Sequence, residues 1–327
     1  MLMRRVRYYQ FGGPEVLTLE EVEVPEVKPG QVLIKVAAVG ANYVDTMIRR
    51  GPDPSSPFHR PLPGKLTGDV VGVVEQVGPD VDDALVGQRV AALVAEDAFA
   101  DYALADAAWL APAPDGLDPA DASILPMSAP VALGALRAGR LAAGDTVLVH
   151  AAAGGIGHLA VRLAKLLGAG TVIATASTAA KLDFAREQGA DVAIDYSEPS
   201  WPARVREAAP DGVDLVLESV GGDILRQSVA LLAPLGRVVV YGAASGEFID
   251  LPITSVLALR SVVGFSILAW RTSHPERARQ DIEELTEYVA DGRLRAAVHA
   301  RLPLTEAVRA HELLDERANL GRVLLTL

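Results

Sequence analysis

Cysteine is wholly absent from the 327 residues. Its absence excludes disulfides, a thiol nucleophile and thiolate metal ligands, and it suits a cytoplasmic protein. Positive charge is also in short supply. Against 42 Asp and Glu stand only 30 Lys and Arg, a net charge of −12, so neither nucleic acid nor an anionic membrane surface is an expected partner. No apolar run approaches membrane-spanning length, and the opening MLMRRVRYYQFGG lacks the apolar core of a secretory signal. What remains is a globular chain long enough for two domains with a core each.

Glycine, by contrast, is concentrated where it carries chemistry. In DTVLVHAAAGGIG (145–157) a short apolar strand over 146–150 runs into a turn holding Gly154, Gly155 and Gly157, and the segment 159–167 has helical spacing. Strand, glycine turn and helix together build a phosphate site. Amides at the helix start point at an anion, and missing side chains let a pyrophosphate approach the main chain. Against the G-x-G-x-x-G pattern, Ala152 takes the first position, followed by Gly154 and Gly157. An ordinary tight turn is the alternative; the flanking strand and helix favour a dinucleotide.

Charge then discriminates between dinucleotides. An NAD site usually carries an Asp or Glu about 20 residues further on, bonded to the ribose 2′-hydroxyl. Here the second strand, 171–175, is followed by Ala176, Ser177 and Thr178, with Lys181 close behind, and no carboxylate lies between Asp145 and Asp183. Hydroxyls and a lysine suit a 2′-phosphate, which an acidic side chain would repel. NADPH is expected over NADH.

Three regions differ in texture. Residues 1–118 alternate in strand fashion, as in VLIKV (32–36) and VVGVVEQV (70–77). Pro52, Pro54, Pro57, Pro61 and Pro63 make an extended loop, and Pro112, Pro114 and Pro119 read as a hinge. Over 119–262 strands at 146–150, 171–175, 192–195, 215–217, 237–241 and 261–265 alternate with helical patterns, which predicts a parallel sheet covered on both faces. The segment 263–327 returns to mixed structure. Ser273 with Glu276 suggests a capping box for a helix ending near Gly292, and 323–327 a last strand.

These landmarks together resemble the zinc-independent medium-chain dehydrogenases/reductases, closest to the NADPH:quinone oxidoreductases. VGANYVDTMIRRG (39–51), GDVVGVVEQVG (68–78), HAAAGGIG (150–157), LESVGG (217–222), GRVVVYG (236–242) and NLGRVLL (319–325) occur in the family's order, over essentially the full chain. The resemblance implies an α/β protein: a GroES-like β-rich catalytic domain made from both chain ends, with a doubly wound Rossmann domain inserted. It also implies a homodimer pairing across the last Rossmann strand, here SVVGF (261–265).

Residue roles follow from the same resemblance. Gly154, Gly155 and Ile156 would contact the pyrophosphate through their backbone. Ser177, Lys181 and Tyr196 would surround the 2′-phosphate, and Arg317 would add another cofactor contact. Ser219, Val220, Tyr241, Gly242 and Ala243 would border adenosine and the nicotinamide riboside, with Phe265 and Ile267 at the nicotinamide end. Asn42 would donate a hydrogen bond to a carbonyl gaining negative charge, and Tyr43 would donate likewise or supply a proton. Asp45 reads as structural, and Arg49 and Arg50 as exposed loop charges. Zinc is not expected: Asn42 stands where zinc-dependent relatives place their first cysteine, GDVVG (68–72) replaces their Gly-His-Glu segment, and the six scattered histidines read as surface or packing residues.

The chain departs from the family at the pocket. Met47 replaces a frequent tyrosine, and Val131, Ala132 and Leu133 replace a Thr-Ala-Tyr or Thr-Ala-Trp segment. A more apolar pocket lined by Met47, Val131 and Leu133 is implied, suited to an acceptor bulkier than a simple benzoquinone. A quinone or an α,β-unsaturated carbonyl is the expected substrate. A scaffold or redox sensor that binds NADPH without turnover is the competing reading.

Overall fold

The structure is a computed structural model that describes every residue except Ser55 and Pro57. Within the expected proline-rich loop, Pro57 therefore lies outside the described residues. From the amino end, β1 (Leu2–Tyr8), β2 (Thr18–Glu23) and β3 (Gln31–Ala41) lead into helix α1 (Tyr43–Arg49). Next come β4 (Gly64–Lys65), β5 (Gly68–Val77), β6 (Arg89–Val94), β7 (Tyr102–Asp106), β8 (Ala111–Pro112) and α2 (Pro119–Ser123). A run of alternating elements follows: α3 (Ser128–Ala138), β9 (Thr146–Val149), α4 (Gly157–Leu166), β10 (Thr171–Ala176), α5 (Ala179–Glu187), β11 (Val192–Asp195) and α6 (Trp201–Ala208). It continues through β12 (Val213–Glu218), α7 (Gly222–Leu231), β13 (Leu232–Val240), β14 (Ser261–Gly264), α8 (Ile267–Ser273) and α9 (Pro275–Ala290). The chain returns with β15 (Val298–Pro303), α10 (Ala307–Asp315) and β16 (Arg322–Thr326).

Two units result, Met1–Met127 with Ile282–Leu327, and Ser128–Asp281. The first is β-rich. Its larger sheet runs β15-β16-β3-β5-β6-β8, with β7 also on β3, and a smaller one runs β2-β1-β4. Alternation along β5 puts Val70 and Val74 into an aliphatic core with Val32, Ile34, Val323 and Leu325. Leu304, Ala310 and Leu314 complete that core from the return segment.

The second unit is the doubly wound sheet, parallel throughout, in the order β11-β10-β9-β12-β13-β14. Its central strands are apolar on both faces, as a sheet covered by helices on each side requires. Val147, Leu148 and Val149 on β9 and Leu215, Val216 and Leu217 on β12 are all fully buried.

Both chain crossings fall later than the expected 118/119 and 262/263. Pro112, Pro114 and Pro119 do not form a hinge between units. Ala111–Pro112 pairs with β6, and Pro119 is the first residue of α2, where a proline lacks nothing a helix start needs. Asp118 caps that helix by accepting from the Ala120 N–H at 2.8 Å. At the second crossing Asp281 accepts from the Arg137 guanidinium of α3 and from Trp270 Nε1 at 2.9 Å on α8, which holds the start of α9 in the second unit. Ser273 is the last residue of α8 rather than a cap for α9, whose start falls at Pro275.

Candidate active site

The second unit's strands end on one edge, and the glycine turn lies there. Ala152 N–H donates to Thr175 O at 3.0 Å, Gly154 N–H to Ala151 O at 2.9 Å, and α4 begins at Gly157 with no side-chain cap. A Cβ on Gly157 would stand 2.2 Å from Ala151 O, and one on Gly154 3.2 Å from the same oxygen. At position 157 only glycine lets helix and strand approach this closely. The amides of Gly155 and Ile156 have no backbone acceptor among the described residues, which is the donor set a pyrophosphate needs. The residues present fit a dinucleotide.

Beside it, Ser177 directly follows β10, and Tyr196 N–H donates to Ala176 O at 3.0 Å, so Tyr196 and Ser177 stand side by side at the strand ends. Lys181 lies one turn into α5, whose cap Thr178 accepts from the Lys181 N–H at 3.4 Å. A carboxylate does appear one strand over. Asp195 is in register with Ala176, and its Oδ1 is occupied by the N–H and O–H of Ser197. Sequence order alone hid it, because it lies beyond β10 in the chain and beside β10 in the sheet.

Two loops at the ends of β12 and β13 are laced together. Ala244 N–H donates to Ser219 O and Ser245 N–H to Val220 O, both at 2.8 Å, while Gly242 packs against Ser219. Glu218, fully buried, accepts from Val220 N–H at 2.6 Å and Gly221 N–H at 3.0 Å. Burial holds its carboxyl above the usual range, opposed by those two amides. Burial likewise pushes the Tyr241 phenol up to about 12. Ala243 is half-buried in the same loop. Phe265 lies over α3, close enough that a Cβ on Gly134 would stand 2.1 Å from its ring, and Ile267 opens α8. On α3, Val131 keeps 6% of its surface open and Leu133 none, so Leu133 supports that wall from behind and presents no face of its own.

In the same unit His150 directly follows β9 with both ring nitrogens committed, to Thr175 Oγ1 at 2.7 Å and Ser228 Oγ at 2.8 Å. Ser228 donates its single proton to Ile224 O, so His150 Nε2–H donates to Ser228 and Nδ1 accepts from Thr175. Burial pushes the imidazole down to about 3, keeping it neutral. His158 and His311 are also fully buried. These three act as packing residues.

In the first unit, described by itself, Asn42 stands at the start of α1 with only 7% of its surface open. Arg322 Nη1 donates to Asn42 Oδ1 at 3.2 Å, Arg322 Nη2 to Asp69 Oδ2 at 2.8 Å, and Asn42 Nδ2 to Asp69 Oδ2 at 3.4 Å. Tyr43 and Met47 follow on α1, both half-buried. Arg317, in the left-handed region at φ 52°, donates to the Tyr43 hydroxyl at 3.3 Å. Asp69 and Arg322 escaped the sequence reading. A charge bracketed by apolar strand residues, as in GDVVG and GRVLL, was the available signal, since such charges are buried only when paired.

Arg49 is not an exposed charge. It is fully buried, donating to Gly12 O at 3.2 Å, to His311 Nδ1 at 3.3 Å and to Asp315, which Arg50 also contacts from the surface. Asp45 is structural, as expected, though its partner is distant in sequence: Thr67 donates to it through N–H at 2.9 Å and Oγ1 at 3.0 Å. Burial is the main cause raising its carboxyl from 3.8 to about 7, opposed by Thr67 and aided by the Asp69 charge. The folded chain therefore holds a proton that the unfolded chain has lost between about pH 4 and 7, so this contribution to stability is present at low pH and lost as pH rises through 7. Asp45→Asn retains both Thr67 contacts without a charge. Its gain in melting temperature over the parent should be larger at pH 8 than at pH 5; equal gains would show an Asp45 ionised throughout.

No group of three His, Cys, Asp or Glu positioned to hold a metal occurs among the described residues. Around Asn42 the donor set does not fit zinc: the neighbours are a guanidinium and the carboxylate that neutralises it. No described helix is long and apolar enough to cross a membrane.

Comparison with known proteins agrees with both units. Residues 28–115 match the alcohol dehydrogenase GroES-like domain, and 155–287 match the domain described as zinc-binding dehydrogenase. A 2-haloacrylate reductase from Burkholderia sp is 36% identical over 96% of each chain. A quinone oxidoreductase from Pseudomonas aeruginosa is 34% identical over 99% of each. The structure of a mycobacterial protein complexed with NADPH superposes with a TM-score of 0.90 at 34% identity, covering 99% of this chain and 100% of that one. With this extent of likeness on both units, the chain belongs to the medium-chain dehydrogenases/reductases, as an oxidoreductase of the quinone oxidoreductase-like group.

Proposed function

We propose that the protein is an NADPH-dependent, metal-independent reductase of quinones or α,β-unsaturated carbonyls. The observation that carries this reading is the glycine turn of the second unit, whose Gly155 and Ile156 amides have no backbone acceptor among the described residues. NADPH, when bound, supplies the hydride. The amides of Gly155 and Ile156 hold its pyrophosphate, with Gly154, whose own N–H is spent on Ala151 O, leaving room beside them, and Ser177, Lys181 and Tyr196 receive the 2′-phosphate. The joined loops carrying Ser219, Val220, Tyr241, Gly242 and Ala243 border the riboses, and Phe265 and Ile267 flank the nicotinamide end. Arg317 adds a cationic contact. Asn42 donates to the acceptor's carbonyl oxygen as negative charge accumulates there, and Tyr43 O–H serves as second donor. The related 2-haloacrylate reductase and quinone oxidoreductases support a small electron-poor acceptor.

Val131 on α3 and Met47 on α1 each stand as an apolar, non-aromatic side chain where the family often has threonine and tyrosine, which suits alkenals, enones and enoyl thioesters as well as quinones bulkier than a simple benzoquinone. The test is NADPH oxidation against a panel of quinones and enones, with NADH in parallel. Turnover with NADPH over NADH is expected, and Val131→Thr should shift the ranking toward quinones. An unchanged ranking would remove the pocket argument, and NADPH binding without any turnover would favour a scaffold.

The active form is a homodimer in the cytoplasm. β14 is an outer strand of the six-stranded sheet, and Leu235, Leu257, Leu259 and Val262 around it are exposed. An apolar open edge of this kind is covered by a second copy in a soluble protein. Light scattering should give twice the chain mass, and Val262→Lys should shift it toward the monomer. A monomeric parent would end this reading.

A further inference from the structure

We propose that Arg322, together with Asp69, is a positioning residue that fixes which way the Asn42 carboxamide faces. The inference rests on the reading of Asn42 as the donor to the acceptor's carbonyl. An amide side chain can turn over, exchanging its oxygen and nitrogen at little cost in shape. Here the neighbours forbid the exchange. Arg322 has only donors, so Asn42 Oδ1 must face its Nη1 at 3.2 Å; the Asp69 carboxylate only accepts, so Nδ2 must face its Oδ2 at 3.4 Å. One amide N–H is thereby used on Asp69, and the second is left to meet an incoming oxygen. Turned over, Asn42 would present its own oxygen and repel the carbonyl.

The arrangement is built, not incidental. The pair is almost completely buried, with side-chain exposures of 2% for Arg322 and 0% for Asp69. Space for the guanidinium comes from Gly40 on the neighbouring strand, where a Cβ would stand 1.8 Å from Nη2. Arg322 Nη2 also reaches Ser123 O at 3.4 Å, which anchors the fork from a third side. A buried ion pair is a poor device for stability and a good one for orientation.

The test compares Asn42→Ala with the double variant Asp69→Asn/Arg322→Gln, which leaves no buried charge unpaired. The double variant should bind NADPH with unchanged Kd, keep KM for the acceptor within about threefold and lose at least about tenfold in kcat. In Arg322→Ala, added guanidinium should restore part of the lost kcat. A pair serving only the fold would lower the melting temperature and leave kcat unaffected below it. A double variant with parental kcat, alongside an Asn42→Ala that loses more than about tenfold, would overturn the role of Arg322 and keep that of Asn42. A fully active Asn42→Ala would remove the underlying reading and this inference with it.

Discussion

Gly157→Ala should abolish productive NADPH binding. The added Cβ would lie 2.2 Å from Ala151 O and 2.8 Å from Ala152 Cα, both main-chain atoms of the turn itself. No side-chain rotation relieves such a clash, so either α4 slides outward or the turn opens, and in both cases the amides leave the pyrophosphate. A loss of about 100-fold in affinity, some 2.7 kcal/mol, is the expected scale. Gly154→Ala provides the graded control. Its Cβ would meet the same oxygen at 3.2 Å, a contact a few tenths of an ångström of movement can relieve, so its effect should be much smaller. Fluorescence titration with NADPH measures both, and the rise in melting temperature on adding NADPH should vanish in Gly157→Ala. Parental affinity in Gly157→Ala would show that these amides do not hold the phosphates.

Asp315→Ala should be strongly destabilising to the first unit. It strips the carboxylate from Arg49, whose side chain has no exposed surface. What would remain around the guanidinium is Gly12 O and the His311 ring. That ring offers a lone pair and no charge, because burial, reinforced by Arg49, pushes His311 down to about 3. Stranding a buried cation costs about 3–5 kcal/mol. For a unit of this size the melting temperature should fall by about 10 °C. Calorimetry reads the effect, and Arg49→Met added to Asp315→Ala should recover most of it. A loss below about 1 kcal/mol would mean that Arg49 swings into water instead. Because Arg49 closes the short helix that starts beside Asn42, the same substitution should also impair turnover.

Legibility in the sequence followed locality. The glycine turn, the strand at 192–195 and the order of the Rossmann elements are written in contiguous residues, each with its own period and punctuation. Pro119 misled because a proline that starts a helix and a proline in a linker look alike until the helix behind it is seen. Arg49 misled for another reason. Its partner Asp315 is 266 positions away, and nothing within VDTMIRRG separates a buried arginine from an exposed one. The same distance in sequence concealed the grip of Arg322 on Asn42, whereas Asp195 was hidden by strand pairing, which alone sets it in register with Ala176. Thr178 and Lys181 were readable as a helix start with charge nearby. Leu133 was readable only as apolar, and whether an apolar side chain lines a surface or lies behind it is decided by neighbours the local pattern does not name.

The placing of β16 between β15 and β3 sets an order of assembly on the ribosome. The second unit is one continuous stretch, Ser128–Asp281, and can close its sheet as soon as that stretch has emerged. The first unit cannot. Its strand β3 is synthesised early, yet the hydrogen bonds on one edge of it are completed only by Val323 to Thr326. The amino-terminal 127 residues therefore wait, with β3 unpaired on that edge from Ala38 to Ala41, while the inserted unit folds, and the part translated first is the last to become complete.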